Sequence, residues 1–232
     1  MNKAITTVEL IDHMGSDLSV VDAARVSMAK QSEWDFAPSG TIHAGEYFLS
    51  DRDAKLIDYL AKHNHWTPFS HPQISFRISA PIFVARQWFK HMVGITRNEQ
   101  SRRYVDDEPA FFDMIWRMRA ASVKQGSAGI ADRATQNHAD QIYDLVMHTA
   151  LDGYENLLSI GIAPEQARAV LPQSMMTEWI ETASLAAVCR ACELRLDPHA
   201  QQETRDIAEQ IAEIVAPLFP VSWSALMEVR HV

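Results

Sequence analysis

Residues 73–79 alternate without a break. Ile74, Phe76 and Ile78 point one way; Ser75, Arg77 and Ser79 point the other. Side chains of a strand alternate with period two, so the segment reads as a half-buried strand. Pro81 follows it and suits the first turn of a helix, read here as running to about His91. Any fold for this chain must therefore contain a sheet with one buried face and one wetter face.

The rest of the chain supplies mostly helices. Thr7–Met14 reads as a short strand and Leu18–Ala29 as a helix. Asp51–His63 is a helix with Leu56, Tyr59, Leu60 and His63 on one face. Lys30–Glu46, rich in Ser, Gly and Pro, reads as a loop, and so does the polar Val93–Tyr104. Ala120–Asn137 reads as a mobile loop or frayed helix ends. Ala139–Leu158 and Thr182–Arg195 read as helices, and Pro164 opens a short one. Ala200–Leu218 is the clearest helix. Ile207, Ile211, Ile214 and Leu218 form its stripe, with Glu203, Asp206, Glu209 and Glu213 mostly off it. No repeat or linker divides the chain, so the expectation is one α+β domain over residues 1–232, mostly helical with a small sheet.

Several classes are excluded. None of the eight glycines falls in G-x-G-x-x-G or in a P-loop pattern, and there is no G-x-S-x-G elbow. The only cysteines are Cys189 and Cys192, too few for a disulfide scaffold. A 47% hydrophobic content excludes disorder throughout. No apolar run reaches the roughly 18 residues of a membrane span. The N-terminus carries Glu9 and Asp12 without a basic-then-apolar pattern, so no signal peptide is expected and the location is read as cytoplasmic.

The net charge is −9, which argues against a nucleic-acid coat or a binder of anionic membranes. Within that acidic chain, residues 77–103 hold six basic side chains against one acid, Glu99. Such a concentration asks for an anionic partner. Ser101, Arg102 and Arg103 together suit a phosphate monoester, because the planar guanidinium pairs two phosphate oxygens. The plainer reading is a solvated loop pairing with Asp106, Asp107 and Glu108. A nucleic-acid reading lacks interleaved aromatics for base stacking. Arg168 and Arg195 each precede a proline turn, where an arginine also serves to bond the last helix carbonyls. His199 has an equally plain reading as a residue at a helix start.

Five segments taken in order resemble one family, the flavin-dependent thymidylate synthases. They are His63-Asn-His-Trp-Thr-Pro-Phe-Ser-His71, Ala80-Pro-Ile-Phe-Val-Ala-Arg-Gln-Trp-Phe-Lys-His91, Arg97-Asn-Glu-Gln-Ser-Arg-Arg-Tyr104, Ala167-Arg-Ala-Val-Leu-Pro172 and Arg195-Leu-Asp-Pro-His-Ala-Gln201. The resemblance implies that family's fold with a small antiparallel sheet. It implies reductive methylation of dUMP to dTMP, with methylenetetrahydrofolate as carbon donor, FAD as redox mediator and NADPH as reductant. It further implies a homotetramer with shared active sites, no cysteine nucleophile, and no nucleic-acid or membrane partner.

Matched residue by residue, Arg195 is the arginine that contacts the uracil ring and stabilises charge on it. Glu99, Gln100, Ser101, Arg102 and Arg103 match the nucleotide loop, with Gln87, Lys90 and Arg168 as further nucleotide contacts. His65, Thr67, Lys90, His91, Met92, Glu99 and His199 fall at flavin-contact positions. Here Lys90-His91-Met92 stands where the family has Arg-His-Arg, and one extra residue precedes Ser101, to be absorbed near Gly94. Ser184 and Ala186 occupy positions where the family often has Asn and Arg; Arg190, one turn on, is the candidate replacement contact for the flavin phosphates.

Three rival readings stand beside this one. One is a nucleotide- or RNA-binding module without flavin chemistry. Another is a redox or zinc pair at Cys189-x-x-Cys192. The third is a catalytic metal held by His63, His65 and His71.

Overall fold

The computed structural model describes residues 1–37, 47–105, 107–121 and 126–228. In chain order it has strands β1 (Asn2–Ala4) and β2 (Thr7–Met14), helix α1 (Asp17–Arg25), strands β3 (Asp35–Phe36) and β4 (Tyr47–Phe48), and helix α2 (Asp51–Lys62). Next come β5 (Gln73–Pro81), α3 (Ile82–Trp88), β6 (Ile95–Glu99), β7 (Ala110–Phe112) and α4 (Arg133–Ser159). Then follow α5 (Pro164–Ala167), β8 (Met176–Ser184), α6 (Leu185–Arg195), α7 (Gln202–Leu218) and α8 (Pro220–Glu228). The mixed, largely helical architecture with a small antiparallel sheet agrees with the expected α+β class.

The alternating segment becomes β5, an inner strand of a four-stranded antiparallel sheet ordered β2-β5-β8-β6. Its apolar residues Ile74, Phe76 and Ile78 are fully buried, and Arg77 between them is exposed. On the wetter face Ser75 and Thr182 exchange a hydroxyl hydrogen bond of 2.8 Å, and Arg77 pairs with Glu178 at 2.6 Å. A separate parallel pair joins β1 to β7, and β3 pairs with β4.

Two expectations are corrected by this sheet. Residues 95–99, read as loop, form edge strand β6. Their charges hid them: Arg97 lies opposite Glu181 on β8, and that pairing replaces the apolar contact the eye looks for. Residues 182–184, read as helix, belong to β8, and α6 starts only at Leu185. The Ser184 hydroxyl accepts from the Ala187 amide at 3.3 Å and so sets the helix start.

The main core joins the buried sheet face to α1, α2, α3, α6, α7 and α8. It includes Val20, Ile57, Phe69, Trp88, Leu185 and Phe219. Each such aliphatic or Phe side chain contributes roughly 1.5–3 kcal/mol on burial. In α7, Ile207 and Ile211 are buried as expected, and Val215 continues their row. Glu203 departs from the expected solvated face: it is buried at the start of α7 and pairs with Arg117 at 2.5 Å. In α2 the buried row is Ile57, Leu60 and Ala61, while Tyr59 is exposed and packs its ring against His63. α3 ends at Trp88, short of the expected His91, and α4 begins earlier than expected, at Arg133, capped by Asp132.

α4 packs by Tyr143 and Met147 on a smaller cluster with Phe111 and Met175. The expected loops are only partly covered by the structure: residues 38–46 of the 30–46 loop, 122–125 of the 120–137 segment, and Asp106 lie outside the described residues. Among the described residues no helix is long and apolar enough to cross a membrane.

Candidate active site

The ends of α3 and α6 meet at one side chain, His91. After Trp88 the chain makes a tight turn, in which the His91 amide donates to the Trp88 carbonyl at 3.1 Å. The His91 ring lies edge-on to Trp88, with centroids 5.7 Å apart. Arg195 is the last residue of α6, and its Nε donates to His91 Nε2 at 3.0 Å. An imidazole accepts only on an unprotonated nitrogen, so the contact calls for a neutral ring with its proton on Nδ1. The surroundings supply one. Burial, then the Arg195, Arg97 and Arg190 charges, push His91 down to about 4. Half-burial also lowers the Arg195 guanidinium from its ordinary value. Arg195 makes no other hydrogen bond among the described residues, so its two terminal amino groups stay available to a ligand.

Behind His91 sits Glu181, only 2% exposed. It follows from the strand period: Trp179, Glu181 and Ala183 share the buried side of β8, and Glu181 lies between Phe76 and Arg97 in register. A buried carboxylate must be hydrogen-bonded. Glu181 Oε2 accepts from Trp88 Nε1 at 3.0 Å, from Trp179 Nε1 at 3.3 Å and from Arg97 Nε. Arg97 Nη1 then donates to the His91 carbonyl at 2.6 Å, and its guanidinium lies 5.1 Å from the Phe89 ring centroid.

The nucleotide-loop residues form a separate group. The Gln100 amide donates to the Glu178 carbonyl at 2.8 Å, beyond the last rung of β6. Residues 101–104 then turn, with the Tyr104 amide on the Ser101 carbonyl at 3.0 Å. Both the amide and Nε of Arg103 reach the Ser101 hydroxyl, at 3.4 and 3.3 Å. Arg102 bonds the Asp107 carbonyl, and Glu99 accepts from the Thr177 hydroxyl at 2.8 Å. One hydroxyl, one amide and one guanidinium thus converge at an exposed turn. Arg168 bonds the Glu165 carbonyl at 3.2 Å, and Gln87 accepts from the buried Thr204 hydroxyl. No hydrogen bond among the described residues links Arg168 or residues 101–103 to Arg195.

The cofactor candidates are spread around α6. Arg190 donates to the Val93 carbonyl at 2.5 Å, and the Ser184 amide donates to the Gly94 carbonyl at 3.0 Å. Gly94 has φ +78°, and a Cβ there would stand 2.9 Å from the Ser184 hydroxyl. The extended turn is therefore clamped onto α6 at a position that favours glycine. Lys90 and Met92 on this turn are exposed, as are His65, Thr67 and His199. His199 Nδ1 lies 2.9 Å from Asp197. A cleft of about 220 Å³ beside Arg190 is lined also by Asn64, Trp66 and Ala186. A larger hollow of about 600 Å³ runs along α1 past His71 and holds no other candidate residue.

Two rival readings find little support. His63 and His65 have ring centroids 6.4 Å apart, and no metal-ligand cluster of three or more occurs among the described residues. Cys189 and Cys192 are buried in α6 without a disulfide, and burial pushes the Cys189 thiol well up, away from the reactive thiolate.

Comparison with known proteins identifies the family. The family described as thymidylate synthase complementing protein matches residues 9–221. The chain belongs to this family. A flavin-dependent thymidylate synthase from Thermus thermophilus is 38% identical over 222 residues, covering 95% of this chain and 75% of that protein. One from Thermosipho africanus is 34% identical, covering 97% and 92%. The crystal structure of a UMP/dUMP methylase, PolB from Streptomyces cacaoi bound with 5-Br dUMP, aligns with TM-score 0.83 at 29% identity, covering 98% of this chain and 97% of that one.

For this member of the thymidylate synthase complementing family, sequence reasoning missed the support of the site. Trp88 and Arg97 lie in segments that resemble the family but had no role assigned there, and Trp179 and Glu181 lie outside those segments. The available signal was Glu181 itself, an acid placed on the apolar period of Trp179-Ile180-Glu181-Thr182-Ala183.

Proposed function

We propose that this chain is a flavin-dependent thymidylate synthase that methylates C5 of dUMP to give dTMP. The observation that carries the reading is Arg195: a half-buried guanidinium, held through Nε by a neutral histidine, with both terminal amino groups uncommitted. A fixed cation beside the uracil carbonyls stabilises the negative charge that develops on the ring as C5 attacks, and needs no reorganisation to do so. Ser101 and Arg103 take the phosphate, with Gln87, Lys90, Glu99, Gln100, Arg102 and Arg168 as further nucleotide contacts. Ser101 binds and does not attack carbon.

The residues around the Arg190 cleft suit a flavin: a guanidinium for phosphate, and Trp66 and Asn64 for a flat polar ring system. His65, Thr67, Lys90, His91, Met92, Glu99 and His199 are the other proposed contacts. When bound, FAD carries the reducing equivalents that turn a transferred methylene into a methyl group. Methylenetetrahydrofolate is the proposed carbon source and NADPH the reductant. His91, neutral at pH 7, keeps Arg195 oriented and takes no proton from the substrate. The proposed working form is a cytoplasmic homotetramer of single-domain chains with shared sites, acting without nucleic acid or membrane. The main core, drawing on residues from Val20 to Ala225, supports the single domain.

The test is the visible spectrum of the purified protein, recorded with added FAD, then with dUMP and in parallel with UMP. A flavin spectrum that dUMP perturbs is the expected result. A protein that binds nucleotide but takes up no flavin would favour the binding-module reading.

A further inference from the structure

Two of the groups that hold His91 are themselves held by one carboxylate. Trp88 supports His91 through its carbonyl, at 3.1 Å from the His91 amide, and through its ring. Arg97 supports it through the His91 carbonyl at 2.6 Å. Trp88 Nε1 and Arg97 Nε both end on Glu181 Oε2. Glu181 is 2% exposed, and its position is fixed further by Trp179 Nε1 at 3.3 Å and by the ladder to β5 and β6. Trp179 is braced in turn by Phe89, edge-on at 5.0 Å.

We propose that Glu181 is a positioning residue for Arg195: it fixes Trp88 and Arg97, these fix His91, and His91 sets the direction of the guanidinium. The inference rests on the reading of Arg195 as the group that meets the base. Its physical content is a difference between fastening and packing. An apolar residue at 181 would also fill the core face, but it would leave two indole N–H groups and a guanidinium without their shared acceptor. The His91 carbonyl would then lose its partner, and Arg195 would sample orientations in which its amino groups miss the ligand. A misplacement of about 1 Å at a reacting group costs on the order of a hundredfold in rate.

The test uses the full-length protein with added FAD, in the wild type and in Glu181→Gln. The variant keeps an acceptor for the indoles and removes the charge that holds Arg97. Arg97→Gln is the second variant; it cuts the same path at the sheet edge and leaves the carboxylate with both tryptophans, should Glu181→Gln fail to fold. The first readout is solvent exchange of the Arg195 Nε–H by NMR, assigned with Arg195→Lys. Loss of its fixed acceptor is expected to speed this exchange about tenfold or more in either variant. The second readout is turnover of dUMP: kcat is expected to fall about tenfold or more, with KM for dUMP little changed. In a His91→Ala background, Glu181→Gln is expected to remove no further kcat, because the path runs through that ring. Unchanged Nε–H exchange in a folded variant would overturn the proposal, whatever the activity. So would a lower melting temperature with exchange and kcat both intact. Faster exchange in a protein whose wild type does not methylate dUMP would uphold the positioning role and reject the functional reading instead.

Discussion

Arg195 closes α6, and Arg103 follows β6 by four residues, yet their partners differ in kind. Arg195 is half-buried and bonded to a neutral imidazole, which a buried carboxylate fixes through Trp88 and Arg97. Arg103 is exposed and bonds the hydroxyl of Ser101, two residues before it, while its guanidinium lies 5.0 Å from the Tyr104 ring centroid. The first arrangement is set before any ligand arrives. The second is a short-range arrangement of donors around one hydroxyl, which a phosphate can enter and replace. Preorganised charge lowers a barrier, whereas an adaptable exposed turn contributes binding. The two arginine clusters are thus suited to different halves of one task.

Among residues proposed to act through Arg195, the largest effect should come from His91→Ala. It removes the acceptor for Arg195 and is expected to lower kcat by about a hundredfold, with KM for dUMP little changed. Steady-state kinetics at saturating dUMP checks this, and a change in KM alone would break the comparison. Ser101→Ala is expected to do the reverse. Losing one hydrogen bond to a charged group costs about 1.5–3 kcal/mol, so KM should rise about tenfold or more while saturated turnover stays. A complete loss of chemistry at saturating dUMP would make Ser101 a nucleophile.

The pH dependence sharpens the same contrast. His91 titrates at about 4 in the fold against its ordinary 6.5. Between those values the unfolded chain binds a proton that the folded chain does not, so the fold gains stability as pH rises through this window. The His91 contribution is complete above pH 6.5 and is lost as pH falls towards 4. Melting curves from pH 4 to 7 should therefore show a steeper loss in the wild type than in His91→Gln, which has no titrating ring there. Smallest of all is the effect expected on turnover from replacing both Cys189 and Cys192 by Ala. Both lie inside the core, and the folded variant should retain activity; its loss in a folded protein would reopen the redox reading.

The legible parts of the fold were those where one physical signal dominated. β5 was visible because Ile74, Phe76 and Ile78 alternate with polar residues. α7 was visible because its isoleucines recur at helical spacing. β6 and β8 were not, because they meet through charged and polar side chains. Arg97 and Glu181 occupy core-facing places that a hydrophobicity count assigns to solvent. Glu203 misled in the same way, buried against Arg117. The site divides similarly. Arg195, His91 and the 99–103 turn could be proposed from the sequence because they lie in segments that resemble the family. The contacts behind them could not, since Glu181 meets Arg97, 84 positions away, through the β6–β8 register, and Trp88, 93 positions away, at the end of α3.

The central claim is that Arg195, held in place by His91, acts on the base and does not merely bind the nucleotide. The most direct measurement is single-turnover formation of dTMP by Arg195→Ala with FAD, reductant and methylenetetrahydrofolate at saturating dUMP, alongside a dUMP binding titration. The account predicts a fall in rate of about 10²–10³-fold with dUMP still bound through the 101–103 turn. Near-wild-type turnover in that variant would contradict it.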